Sequence, residues 1–312
     1  RDSLGLPIDA AHAVVLAFRI SSGPGGGEYL SPVNVTTNAQ VRVINTFSSG
    51  VRSGVAQIVA STVVGSRTIA SSPVRVVIHA GLPDQAHFTI APERHNFPTL
   101  GVVGNRDLIS VLIGDKYSNP VIENTAVYFR SYAGVIQARV FTNRDGEGST
   151  ALISGNPQPF GQYAAQPYGD AYHWALAQTV GENAASVKDS TLILWSGRSQ
   201  VSNFSPTSFN VPNGGTQTVN FRVSDALGHP LARGTTISVH VTSAPFAAAV
   251  FFGVNGAITL EDVIFPGPGT TEFAFTVADD RPDTSFVSNA NVSVSVTGPN
   301  GIAFSSVGGT IR

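Results

Sequence analysis

Three carboxylates stand within five residues at Asp279, Asp280 and Asp283. Hard oxygen ligands at that density can share a calcium ion. Arg281 lies among them and offsets part of the charge, and Glu261 and Asp262 would have to join them in space. The run therefore reads first as a solvated loop and only weakly as a calcium site. A second metal-like run spans Asn143, Asp145, Gly146 and Glu147. It is too short for an EF-type loop and lacks the closing bidentate glutamate, so a hairpin turn is the expectation. The seven histidines are scattered, and none forms a ligand pair at helical spacing. No Gly-x-Ser-x-Gly elbow occurs, and the glycines between Gly23 and Gly27 are not followed by the Lys-Ser/Thr of a phosphate loop. The chain reads as a non-enzyme, with no catalytic residue, no cofactor and no metal beyond the weak calcium candidates.

What remains is a set of aromatic groups that could bind or pack. Residues 156–170 hold three prolines and the aromatics Phe160, Tyr163 and Tyr168. Such a loop is either a recognition surface or a lid packed on its own domain. With Trp174, Tyr163 and Tyr168 could offer flat faces to a sugar ring; core packing is the competing reading for Trp174 and for Trp195, which ends an apolar run. The only lysines are Lys116 and Lys188, so a Lys–Asn isopeptide staple has just those two donors. Asn34, Asn203 and Asn291 begin Asn-x-Ser/Thr sequons, which would permit glycans on an exported chain.

Strands must position these groups. Val219, Phe221 and Val223 alternate, as do Ile237 and Val239, Phe273 and Phe275, and the valines at 292, 294 and 296. Residues 172–180 are the best helical candidate, yet they align with the strand-like run 55–61, so strand is the expectation. A short phrase recurs: Asp2, Gly5 and Pro7; Asp115, Ser118 and Pro120; Asp225, Gly228 and Pro230. The copies begin 113 and 110 residues apart, a domain-sized period. Aspartate can accept backbone N–H groups two or three residues on, the fourth residue can take φ > 0, and proline re-enters a strand where no ladder N–H is needed. We read the phrase as a turn between strands rather than a calcium ligand.

The phrase resembles that of the bacterial Ig-like modules of the invasin and intimin type. Asp115, Asn119, Pro120 and Val121, then 126–129, Ala133 and Gly134, and Thr142 with Asn143 match best. The first copy has Thr37 and Asn38 but Ala39 and Gln40 where a glycine is usual, and the third keeps only the Asp225 phrase and its flanking strands. The resemblance implies β-sandwich modules used as a spacer or adhesin stalk on a bacterial surface.

The fold expectation is therefore all-β: three tandem Ig-like β-sandwich domains over 1–84, 85–199 and 200–312, joined by short linkers. The second would carry the insertion at 156–170, and the first would lack its N-terminal strands, because nothing precedes Asp2 where strands precede Asp115 and Asp225. That the chain is an excerpt of a longer array, that upstream residues exist but are disordered, and that a neighbouring subunit donates the missing strand are the three explanations. Charged residues are only 12% and the net charge is −2, against nucleic acid as a partner. Cysteine and methionine are absent, which excludes disulfides and thiolate chemistry. No run is long enough for a membrane-spanning helix. Two functions follow: an extracellular or cell-surface structural and adhesive array (a stalk, sheath or fibre, with β-strand addition possible), its partners being other copies, further modules or surface and matrix glycans; or a carbohydrate-binding accessory region of a secreted enzyme.

Overall fold

The computed structural model describes residues 13–38, 42–242, 247–280 and 286–312. The first copy of the repeated phrase and Asp283 lie outside them.

Among the described residues, every regular element longer than one helical turn is a strand. The N-terminal set is β1 (Val15–Ser22), β2 (Tyr29–Ser31), β3 (Asn34–Thr36), β4 (Thr46–Ser48), β5 (Gly54–Val64), β6 (Arg67–Ala70) and β7 (Val74–Ile78). The middle set is β8 (Phe88–Pro92), β9 (Asn96–Pro98), β10 (Arg106–Ile113), β11 (Ala126–Ser131), β12 (Val135–Ile136), β13 (Arg139–Phe141), β14 (Glu147–Ile153), β15 (Tyr172–Val180) and β16 (Ser186–Ser196). The C-terminal set is β17 (Gln200–Ser205), β18 (Phe209–Val211), β19 (Thr216–Ser224), β20 (Thr236–Val241), β21 (Ala247–Val250), β22 (Ala257–Thr259), β23 (Glu272–Asp279), β24 (Ser288–Gly298) and β25 (Gly301–Ile311).

The middle strands form two sheets, β12-β14-β10-β8 and β13-β11-β15-β16-β9. The C-terminal strands repeat the plan as β17-β19-β23-β21 and β18-β25-β24-β20-β22. In both, the second strand crosses to the other sheet and pairs in parallel with the last: β9 with β16, and β18 with β25. All other ladders described within these two sandwiches are antiparallel. Two facing antiparallel sheets with this crossover are the immunoglobulin plan, so the chain is an all-β Ig-like array. Residues 172–180 are a strand, as their alignment with 55–61 predicts.

Alternation decides which side chains go inside. In β20, Ile237 and Val239 are fully buried while Ser238 and His240 face outward. The middle sandwich packs on Trp195, which meets Phe97 edge-on at 6.2 Å and His173 at 5.3 Å. The C-terminal sandwich packs on Phe221, whose ring lies 5.7–6.1 Å from Phe204, Phe251, Phe273 and Phe275.

The N-terminal strands form a sheet β3-β1-β5-β6, with β7 also on β5, faced by the two-stranded β2-β4. The ladder equivalent to β14 on β10 has no counterpart beside β4 among the described residues. Leu30, Ala56, Val59 and Ile78 are buried there, whereas Leu16, Phe18, Ile20 and Ile58 remain half-buried.

Candidate functional site

The repeated phrase is where the structure concentrates its polar interactions. After β10 and after β19 the chain turns tightly, and the aspartate holds the turn. Asp115 Oδ1 accepts the N–H groups of Tyr117 at 2.8 Å and Asn119 at 2.9 Å. Asp225 Oδ1 accepts those of Leu227 and His229, both at 2.9 Å. The fourth residue takes the left-handed conformation in each copy, with φ 66° at Ser118 and 86° at Gly228. To this point the phrase is the predicted turn.

The second carboxylate oxygen does something else. Asp115 Oδ2 accepts the N–H of Gly81 at 2.8 Å, in the linker after β7. Asp225 Oδ2 accepts the N–H of Gly197 at 2.9 Å, in the linker after β16. Each aspartate thus ties the strand set that contains it to the linker from the preceding one. A Cβ on Gly81 would lie 3.2 Å from Asp115 Cβ, so the approach is close. Both aspartates are almost fully buried. Burial alone would raise their carboxyls. At Asp115 the bonds from Asn119, Gly81 and Tyr117 outweigh burial, and at Asp225 those from His229 and Gly197 do; both end below the ordinary carboxylate range.

The fifth residue of the phrase also reaches backward. Asn119 donates to the Val51 carbonyl at 2.8 Å and accepts from the Ser53 N–H at 3.1 Å. His229 sets its ring edge on Tyr172 at 5.0 Å, with its Nδ1 3.4 Å from Asp225 Oδ2.

The second junction is the more extensive. Asn96, fully buried, donates to the carbonyls of Pro230 at 2.9 Å and Val263 at 2.8 Å. Asp262 accepts the backbone N–H groups of His95 at 2.8 Å and Asn96 at 2.9 Å. Asn300 donates to Ser196 Oγ at 2.8 Å and the Gly197 carbonyl at 2.7 Å. Tyr172 donates its hydroxyl to the Ile264 carbonyl, and burial, aided by Asp225, pushes that phenol up to about 12. Nothing in the sequence marks Asn96, at the start of β9, or Asn300, in the turn between β24 and β25.

The aromatic candidates fall beside this junction. Tyr168 lies 6.0 Å from Trp174 and 5.7 Å from Phe265. Trp174 is half-buried; Tyr163 and Tyr168 keep 39% and 41% of their surface, enough to present a face. The 156–170 loop packs on its own sandwich through Ala165, and its Tyr168 also meets the next. Trp195 is core. Of the weak calcium candidates, Asp279 Oδ2 accepts the Gly214 N–H at 2.9 Å and Asp280 is exposed. Among the described residues no three His, Asp or Glu side chains cluster as metal ligands. The Asn143 run is a turn, its Oδ1 accepting from Asp145 and Glu147 at 2.9 Å each. Lys116 pairs with Glu182 at 3.3 Å on the surface.

One Ser–His pair escaped the sequence reading. Ser131 Oγ lies 3.2 Å from His173 Nδ1. The imidazole is fully buried, and burial pushes it down to about 4, while the hydroxyl also bonds the Ala133 carbonyl at 2.7 Å. The pair braces the core against Trp195.

The fold and its linker clamps define a tandem Ig-like β-sandwich array. No family model matches the chain, and no curated protein matches it. Among solved structures it is similar to the FdeC adhesin of Escherichia coli, at 11% identity over 94% of this chain and 85% of that one, with a TM-score of 0.43. It is also similar to invasin, a bacterial integrin-binding protein, at 14% identity over 96% and 53%, TM-score 0.33, and to the Yersinia pseudotuberculosis adhesin InvE, at 10% identity over 74% and 60%, TM-score 0.31. The chain thus spans little more than half the length of the last two. Likeness at these scores carries no argument about activity, which rests on the geometry above. No helix among the described residues is long and apolar enough to cross a membrane.

Proposed function

We propose that this chain is a non-enzymatic structural and adhesive array of a bacterial extracellular or cell-surface protein, a stalk, sheath or fibre whose sandwiches are held in fixed relative orientation. One observation carries the reading: the same buried aspartate closes both junctions onto a linker glycine. A spacer needs resistance to bending at every joint, and a charge-assisted bond repeated at each joint supplies it. Flexible linkers, by contrast, would be long and unbonded. Small-angle scattering tests this. The native chain should scatter as one extended shape, and Asp115→Asn with Asp225→Asn should broaden the distribution of end-to-end distances. A native chain already as broad as the double variant would overturn the reading. Antibody labelling of intact cells of the source organism tests the location.

Assembly by β-strand addition is the finer form of this proposal. It is supported by β4, whose second edge carries no described ladder, and by the half-buried Leu16, Phe18 and Ile20 opposite it. A carbohydrate-binding role is supported by the exposed faces of Tyr163 and Tyr168. Sugar binding untouched by Trp174→Ala and Tyr168→Ala would place it elsewhere on the molecule.

A further inference from the structure

The outer face of the sheet β13-β11-β15-β16 collects cations that the sequence keeps far apart. Register sets the rows. Arg139 on β13 faces Tyr128 on β11, Tyr128 faces Gln178 on β15, and Gln178 faces Lys188 on β16. The next row runs from Arg130 to Leu176 and Ser190. Alternation sends Val127, Phe129, Ala175 and Ala177 into the core, so these rows point outward. Arg139, Arg130, Lys188, Tyr128 and Gln178 are all exposed. With strands about 4.8 Å apart, Arg139 and Lys188 lie about 14 Å from each other across the face.

Both arginines are braced on rings. The Arg130 guanidinium sits 4.9 Å from the Tyr132 centroid, and that of Arg139 5.3 Å from Phe141. Stacking fixes the plane of a guanidinium and leaves its N–H edge free for an anion. No carboxylate occupies an outward position on these four strands. The nearest, Asp189, turns the other way and accepts the Ile90 N–H at 3.2 Å. None of the three cations has an ion-pair partner among the described residues.

We propose that this face binds an acidic polysaccharide, its carboxylate or sulfate groups held by Arg130, Arg139 and Lys188 and a sugar ring stacked on Tyr128. Cations alternating with an exposed ring suit a chain that alternates anionic groups with flat C–H faces. Three cations on a chain of net charge −2 are too few to follow a nucleic-acid backbone. The proposal stands apart from the rod reading, since none of its side chains bonds the Asp115 or Asp225 clamps and its failure would leave scattering by the native chain unchanged.

The test is a binding titration of the whole chain with short polygalacturonate and with dextran sulfate, using uncharged dextran, single-stranded DNA and phosphatidylserine vesicles as comparators. Binding to at least one acidic polysaccharide, weakening with salt, is expected, with none to dextran. Arg130→Gln with Arg139→Gln should weaken it about tenfold or more, the loss of two anion-binding side chains, and Arg67→Gln with Arg75→Gln should not change it. Tyr128→Ser should weaken sugar binding, a loss that simple charge attraction would not produce. Lys188→Gln supplies an independent variant if the arginine pair lowers the melting temperature. Absence of binding to both polysaccharides, indifference to the Arg130 and Arg139 changes, or equal affinity for DNA or vesicles together with indifference to Tyr128→Ser would overturn the proposal.

Discussion

Asp115 Oδ2 lies 2.8 Å from the backbone nitrogen of Gly81, 34 residues earlier and on the other side of the first junction. The same carboxylate organises its own turn, so one buried charge sets a local loop and the joint between two strand sets. Asp225 does both again on Gly197. The consequences are measurable.

Asp115→Asn and Asp225→Asn keep the shape of the side chain. With Oδ1 still serving the turn, each places an amide donor against the glycine N–H. Loss of a charge-assisted bond plus a donor–donor conflict should cost about 2–4 kcal/mol per site, read by denaturant unfolding.

Gly81→Ala and Gly197→Ala should differ. The added methyl would stand 3.2 Å from Asp115 Cβ at the first site and 3.4 Å from Asp225 Cβ at the second. The first needs its neighbour to give by a few tenths of an ångström; the second meets ordinary contact. Denaturant unfolding should show a larger loss of stability for Gly81→Ala than for Gly197→Ala.

Asn96→Ala removes two donors and strands the carbonyls of Pro230 and Val263 at a buried interface. The expected cost is about 2–4 kcal/mol. Tyr172→Phe, which frees only the Ile264 carbonyl, should cost about 1 kcal/mol. Calorimetry should show the single transition of the coupled sandwiches splitting in Asn96→Ala before it does in Tyr172→Phe.

Two buried groups bend the pH profile in opposite directions. Burial pushes Asp107 up to about 6, only partly offset by Arg94 at 3.2 Å. The folded state therefore holds its proton longer, and stability falls as pH rises from the ordinary carboxylate range to about 6. Burial pushes His173 down to about 4. Here the unfolded state takes the proton first, so stability falls as pH drops from about 6.5 towards 4. Each shift is worth roughly 3 kcal/mol across its window. Between pH 4 and 6 the two slopes oppose each other. Asp107→Asn should expose a stability that climbs with pH in that range, and His173→Leu one that declines. Melting temperatures from pH 4 to 7 check both.

Alternation made the strands legible. β20 spans the residues whose alternation predicts it, and β19 and β23 extend theirs by only a few residues, because a half-buried strand must sort its side chains two by two. β25 stayed hidden: Gly301–Ile311 is dense in glycine and serine, and its ladders on β24 and β18 make it a strand. The aromatic loop could be found by composition, whereas its contact with Phe265 could not, since that partner lies 97 residues beyond Tyr168.

From the sequence alone came the all-β class, the Ig-like resemblance, the repeat and the turn chemistry of Asp115 and Asp225. Each is local, written in neighbouring residue types whose preferences act within a few bonds of the chain. Tertiary structure decided what those aspartates are for. A carboxylate has two oxygens, and the turn consumes one. Which N–H meets the other depends on how a distant linker folds back, as does the assembly of Arg130, Arg139 and Lys188 on one face. Neither leaves a mark in spacing, because strand register, and not sequence distance, brings those groups together.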